Sequence, residues 1–285
     1  MNKRTFRLLG KGDIETLERF LAGTPDTSMF LRSNLREAGI VDKGKPYQGT
    51  YVGAFDGARL AGVAALYWNG NMLFQCDLPD AVPLANETLA AALPRPCAGL
   101  LGPRMLLEEV IALPPFSLRR ARMASRQDLY GLDLADLRVR ATMLSRVRAA
   151  TAKDRDTLVG WRHDYLCEIM GAVAGPATRK RAREEIDRAI DEERAFVLAM
   201  ADHLLAYSGF NATLPDMVQV GGVYCPPAER GLGYARVATH GALLAARKRG
   251  VKRAILFTAE DNIAAKRCYE GLGFRPAGDY GIVIY

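Results

Sequence analysis

The chain has 285 residues, 49% of them hydrophobic and 25% charged, the proportions of a folded globular protein and not of a disordered or low-complexity one. Lys and Arg number 39 against 32 Asp and Glu, a net charge of +7 that suits an anionic partner such as a phosphorylated small molecule. The length leaves room for two domains, and the five cysteines, Cys76, Cys97, Cys167, Cys225 and Cys268, are too scattered for a disulfide framework or a zinc site, which points to a reducing cytoplasm.

At the N-terminus a charged start, MNKRTFR, is followed by Lys11 and Asp13 before any apolar segment of signal-peptide length, so no export is expected. Asp13 is placed to cap a helix reaching about Ala22, with Ile14, Leu17, Phe20 and Leu21 on one face. Residues 50–55 and 59–67 have strand patterns on either side of Asp56-Gly57, which predicts a hairpin. The longest apolar runs, such as residues 60–68, fall far short of the roughly 20 residues that cross a bilayer, so no membrane partner is expected. Gly99 and Gly102 mark a strand-to-helix turn within residues 98–113, with Pro103 in the loop. Residues 134–144, LADLRVRATML, mix charged and apolar side chains, and a domain boundary is expected there, before a strand opening at Arg146-Val147-Arg148.

In the second half His163 and Glu168 fall on the first helical region. Thr178 is placed to cap the next helix, where Ala182, Ile186, Ala189 and Ile190 recur at helical spacing. Its basic cluster, Arg179, Lys180, Arg181 and Arg183, reads as a solvated face paired with Glu184, Glu185 and Asp187, and no nucleic acid partner is expected. Residues 195–201 and 204–210 form a second hairpin pattern, with Asp202 and His203 at its turn. It follows a helical region, as the first hairpin does, which predicts a duplicated α/β plan.

The densest signal lies at residues 219–235, QVGGVYCPPAERGLGYA. Val220, Val223 and Tyr224 are strand-prone, Pro226 and Pro227 remove two ladder donors, and Gly231 and Gly233 allow the backbone to approach a ligand. A helix starting near Gly233 presents main-chain N–H groups without intrahelical acceptors, and the helix dipole adds partial positive charge, so a phosphate or pyrophosphate is the expected guest, with Arg230 at the lip. Downstream, an apolar strand at residues 254–258 leads to Asn262 and, seven residues later, Tyr269, which lie on nearly the same face of a helix.

Arg230-x-x-Gly233-x-Ala235 resembles the pyrophosphate-binding signature of the GNAT N-acetyltransferase superfamily. Asn262-x-x-Ala265-x-x-x-Tyr269-x-x-x-Gly273-Phe274 resembles that family's other signature, in the same order and at similar distance. The resemblance covers residues 217–285 and implies an α/β fold of two tandem GNAT-like domains, each a mixed, mostly antiparallel sheet flanked by helices. Residues 1–137 would be a degenerate copy and residues 138–285 the acetyl-CoA-binding domain. It further implies an N-acetyltransferase that moves the acetyl group of acetyl-CoA, as cosubstrate, to an amine acceptor without a metal. Val223, Tyr224, Cys225, Arg230, Gly231, Leu232, Gly233, Tyr234, Ala235, Asn262 and Ala265 would hold the coenzyme, with the pantetheine arm pairing with the backbone of Val223 and Cys225. Tyr269 would be the general acid, since a phenol of pKa near about 10 and a thiol near about 8.5 exchange a proton without a large mismatch. Asp216, Glu229, Glu168 and His163 lie where a base is needed, but none matches a motif and none is assigned. Two other readings fit: a non-catalytic acyl-CoA-binding sensor, and a transferase with another donor such as aminoacyl-tRNA. A P-loop is excluded, because no Gly-Lys-Ser/Thr follows the turn.

Overall fold

A computed structural model describes residues 4–138, 146–201 and 203–285. The chain forms two compact units, Met1–Asp128 with Gly278–Tyr285, and Leu129–Ala277. Part of the expected boundary segment, residues 139–144, and the expected turn residue Asp202 lie outside the described residues.

The first unit runs β1 (Thr5–Leu8), α1 (Ile14–Ala22), α2 (Pro25–Ala38), β2 (Gly49–Asp56), β3 (Arg59–Tyr67), β4 (Asn71–Cys76), α3 (Ala81–Ala91), β5 (Gly99–Gly102) and α4 (Arg104–Ile111) into the start of β6 (Met123–Asp133). β1 to β4 pair antiparallel in sequence order, and β4 pairs parallel with β5. Residues 281–284 then close the sheet antiparallel to β5, from Gly281↔Gly102 to Ile284↔Gly99. The β2–β3 hairpin sits where the residue pattern puts it, with Gly57 at φ +60° in the turn. Both faces of β3 are buried because helices cover both sides. Ala64 and Leu66 pack with Leu84 and Leu107, while Val63, Ala65 and Tyr67 pack with Leu17, Leu21 and Leu31. Asp13 does not cap α1 through its side chain. Its carboxylate accepts from the Gly10 amide at 2.9 Å and pairs with Arg7, the closer contact being 2.6 Å.

The second unit repeats the plan: β7 (Val147–Ala149), α5 (Arg155–Glu168), α6 (Pro176–Asp191), β8 (Ala195–Met200), β9 (His203–Thr213), β10 (Met217–Tyr224), α7 (Tyr234–Lys248), β11 (Arg253–Ala259), α8 (Ile263–Leu272) and the start of β12 (Arg275–Ile284). β7, β8, β9 and β10 pair antiparallel in turn, and β10 pairs parallel with β11. Residues 129–133 of β6 lie beside β11. The order strand, two helices, three strands, helix, strand, helix, strand therefore occurs twice, as the hairpin likeness predicts. Thr178 is not a cap: α6 begins at Pro176 behind Gly175, and the Thr178 hydroxyl donates back to the Val173 carbonyl. The basic face of α6 is occupied by acids, with Arg181 on Glu185, Lys180 near Glu184 and Arg183 on Asp156.

Candidate functional site

β10 and β11 are parallel partners only over four residue pairs, from Met217↔Arg253 to Val220↔Leu256, although β10 continues to Tyr224 and β11 to Ala259. Beyond Val220 the strands part, and β10 keeps contact with β9 through two register shifts around Gly221, with Gly222 at φ +65°. The divergence leaves main-chain groups of residues 221–224 without a partner on β11 and opens a cleft between two strands of one sheet. An extended, amide-bearing ligand fits such a gap by adding to the free strand edge.

The cleft leads into the glycine turn. Pro226 ends the strand, a short 3-10 turn spans Pro227–Glu229, and Gly231 (φ +83°) and Gly233 (φ +79°) both take left-handed conformations that side chains disfavour. Gly233 is the N-cap of α7 and has no side chain to cap it. Among the described residues the amides of residues 231–236 have no main-chain acceptor. No acidic residue lies in the first turn of α7, so its dipole is left uncompensated. Arg236 even adds a positive charge there, against the usual preference. Its guanidinium lies against α8, where a Cβ on Gly271 would come within 3.3 Å of Nη1. Sequence reasoning passed over Arg236, yet a basic residue in the first turn of a helix that opens on a glycine pair is itself a sign of an anion.

Arg230 does not face an empty cradle. Its Nη2 pairs with Glu168 at 2.8 Å, its Nε donates to the Cys225 carbonyl at 3.1 Å, and its guanidinium lies 5.6 Å from the Tyr224 ring. The charge expected at the lip is thus shared with a carboxylate on α5, and the turn's attraction for anions rests on amides and Arg236. Leu232 is exposed, Tyr234, Ala235 and Val223 are half-buried, and Tyr224 is buried with its ring 6.0 Å from that of Trp161. Burial pushes the Cys225 thiol up to about 11, partly offset by a hydrogen bond from the Ala235 amide. A thiol held protonated in this way is a packing residue and not a nucleophile.

Asn262 caps α8, its Oδ1 accepting from the Ala265 amide at 3.1 Å. Its Oδ1 is thereby engaged within the helix start. Ala265 packs against the core formed by α7, α8 and the sheet, and Gly273 ends α8 at φ +105°. Tyr269 is buried in that core, its ring edge-on to Phe274 at 6.0 Å. Burial, with contributions from Cys268 and Tyr165, holds its phenol far above the ordinary range. The close match with a free thiol expected from the sequence is corrected accordingly. Burial also raises the neighbouring Cys268 thiol, to about 12, so a thiol leaving into the same dry surroundings would have its own pKa raised.

Of the residues considered as bases, Glu168 is held by Arg230. Glu229 lies 3.2 Å from His203, and His163 touches Asp164 at 3.2 Å and Cys167 at 3.9 Å. The Asp216 carbonyl accepts from the amides of Lys252 and Arg253. Among the described residues no group of three His, Cys, Asp or Glu side chains is arranged to hold a metal, and no helix is long and apolar enough to cross a membrane.

Residues 153–274 match the sequence model of the Acetyltransferase (GNAT) family. This segment is a GNAT-family domain. The fold of the whole chain is that of tandem GNAT proteins. A GCN5-related N-acetyltransferase from Sphaerobacter thermophilus superposes with a TM-score of 0.64 at 12% identity, over 98% of this chain and 94% of that one. A GNAT-family acetyltransferase from Colwellia psychrerythraea gives 0.59 at 12% identity over 99% of both chains. A tandem GNAT protein from the clavulanic acid biosynthesis pathway gives 0.56 at 14% identity, over 99% and 98%. No curated protein matches the sequence. The GNAT domain supports acyl transfer as the general chemistry of the second unit.

Proposed function

We propose that the second unit transfers the acetyl group of acetyl-CoA to an amine. The observation that carries this reading is the parting of β10 and β11 after Val220↔Leu256, which runs into a turn whose amides lack main-chain acceptors. The amides of the turn at residues 231–234, the α7 dipole and Arg236 suit the diphosphate, and the backbone at Val223 and Cys225, where the Cys225 carbonyl also accepts from Arg230, suits the amides of the pantetheine arm. Arg230, Gly231, Leu232, Gly233, Tyr234 and Ala235 form the turn, while Asn262 and Ala265 at the start of α8 border the arm. On this reading the thioester lies near the buried end of the cleft, by Tyr269.

The acceptor's neutral amine forms the new bond to the carbonyl carbon, and the carbon–sulfur bond breaks. Unpaired amides on β10 stabilise charge on the oxygen. Tyr269 stays protonated at any physiological pH and donates to the departing sulfur. The acceptor nitrogen loses its extra proton to solvent, and solvent returns one to Tyr269. In this role the raised phenol pKa keeps Tyr269 protonated, and its proton transfers only as thiolate charge develops in the same desolvated place.

Isothermal titration with acetyl-CoA tests the first step. Saturable heat is expected, weakened when Gly231 is replaced by a bulky residue. No heat at millimolar coenzyme would remove the cradle from the reading.

A further inference from the structure

The face of the sheet under α5 and α6 holds a narrow recess of about 10 Å³, walled by Trp161, Tyr165, Tyr207, Gly222 and Tyr224. Arg162 stands among these aromatic side chains. Its Nε donates to Glu185 at 2.6 Å, and its guanidinium lies 4.9 Å from the Tyr165 ring centroid. A Cβ on Gly222 would come within 3.0 Å of Nη1, so the terminal nitrogens reach the part of β10 that has left β11. Among the described residues neither Nη1 nor Nη2 has a hydrogen-bond acceptor.

Glu185 does not neutralise this corner, because Arg181 also binds it, at 2.7 Å, leaving two guanidinium groups on one carboxylate. Glu168 is held by Arg230, and Asp164 touches His163. A guanidinium whose paired Nη edge is unused offers a two-point seat to an acceptor, and a planar carboxylate is the group whose geometry fits that edge. The recess has room for about one water-sized group, so it suits the tip of a single small headgroup and not a polymer. Gly222 and Tyr224 line the recess and belong to the stretch of β10 beyond its last pair with β11, so the recess adjoins the cleft.

We infer that Arg162 is a specificity residue that binds a carboxylate on the acceptor, so that the substrate class is small amino carboxylates. This rests on the acyl-transfer reading of the same site. The acceptor enters with its carboxylate on Nη1 and Nη2, its body against the aromatic wall, and its amine directed toward the cleft between β10 and β11.

The test separates the two readings. In a Trp68→Phe background Trp161 is the sole tryptophan and lines the recess. Acetate, propionate and benzoate are titrated, each beside its neutral amide, with and without saturating acetyl-CoA, and fluorescence is followed. A saturable change with the carboxylates, at least tenfold weaker with the amides, is expected. Arg162→Lys keeps a cation beside Glu185 but loses the planar fork, and should abolish that preference while leaving circular dichroism unchanged. Equal responses to acid and amide, no response under either condition, or a preference that survives in Arg162→Lys would each overturn the inference. Thiol release is then followed with alanine, β-alanine and 4-aminobutyrate against their amides. Carboxylate binding without thiol release from any acceptor would overturn the acetyl-transfer reading and leave the binding site standing. Release that favours the amides would overturn the carboxylate assignment alone.

Discussion

The two units solve the same junction in opposite ways. In the first, β4 enters α3 through Asp77-Leu78-Pro79-Asp80, and Asp80 stands at the N-cap of α3, buried and 3.1 Å from Arg4. In the second, β10 enters α7 through a longer turn, and the N-cap is Gly233. One helix start is supplied with its own carboxylate, while the other has none, carries Arg236, and among the described residues leaves its amides without main-chain acceptors. A helix dipole needs negative charge at its N-terminus, and the chain provides it in one unit and leaves it to a ligand in the other. The following helices differ in the same sense. α4 turns Leu106, Leu107 and Val110 into the core, whereas α8 places Tyr269 there. The strand-to-helix turn expected at Gly99, Gly102 and Pro103 precedes α4 and corresponds to the one before α8.

The sharpest way to break this comparison is Tyr269→Phe, which gives α8 an apolar core residue as in α4. Turnover should fall by about 10²- to 10⁴-fold while acetyl-CoA affinity changes less than about twofold. Full turnover with any acceptor would dismiss the acid role. Next, Gly233→Asp transplants the first unit's solution. Aspartate tolerates a positive φ better than most residues, so the fold should persist, and the added carboxylate should weaken acetyl-CoA about 100-fold by calorimetry. In the first unit Asp80→Asn removes the built-in charge beside Arg4, and a loss of about 1–3 kcal/mol in urea unfolding is expected, with no change in coenzyme binding.

The smallest effect is on pH. The first unit has no histidine, while the second buries His240 on α7 with neither ring nitrogen partnered. Desolvation, with Arg247 adding to it, holds His240 below its usual range. The unfolded chain therefore binds the proton first, so stability is complete above about pH 6.5 and declines as pH falls from there toward the folded-state pKa. In the first unit Asp13 and Asp42 are lowered to about 2 by Arg7 and Arg95, so their contribution persists down to about pH 4 and is lost between there and about 2. Trp68 and Trp161 report on the two units separately. On acidification from pH 7 the Trp161 signal should lose stability before that of Trp68, and His240→Leu should flatten the first part of that loss.

Much of this was legible in the residues. Proline after a strand, glycine at forced left-handed positions and apolar spacing act over a few neighbours, and they made the hairpins and the turn at residues 226–233 legible, whereas the caps at Asn262 and Gly273 emerged only in the structure. Partners distant in sequence were not legible. Nothing near Arg230 announces Glu168, 62 residues away, and nothing near Arg162 announces Glu185 or Gly222. Asp13 and Thr178 have the composition of caps but found other partners, because cap chemistry competes with any donor or acceptor that the fold brings closer.

By itself the sequence determined that a strand must stop, turn on glycine and restart as a helix with open amides, since backbone sterics and proline's missing N–H allow little else. Only the tertiary structure decided how far β10 and β11 stay together, which charges face that turn, how deeply Tyr269 is desolvated, and that residues 278–285 complete the first unit's sheet beside β5. Those outcomes depend on burial and on pairing across long stretches of chain, which no local pattern encodes.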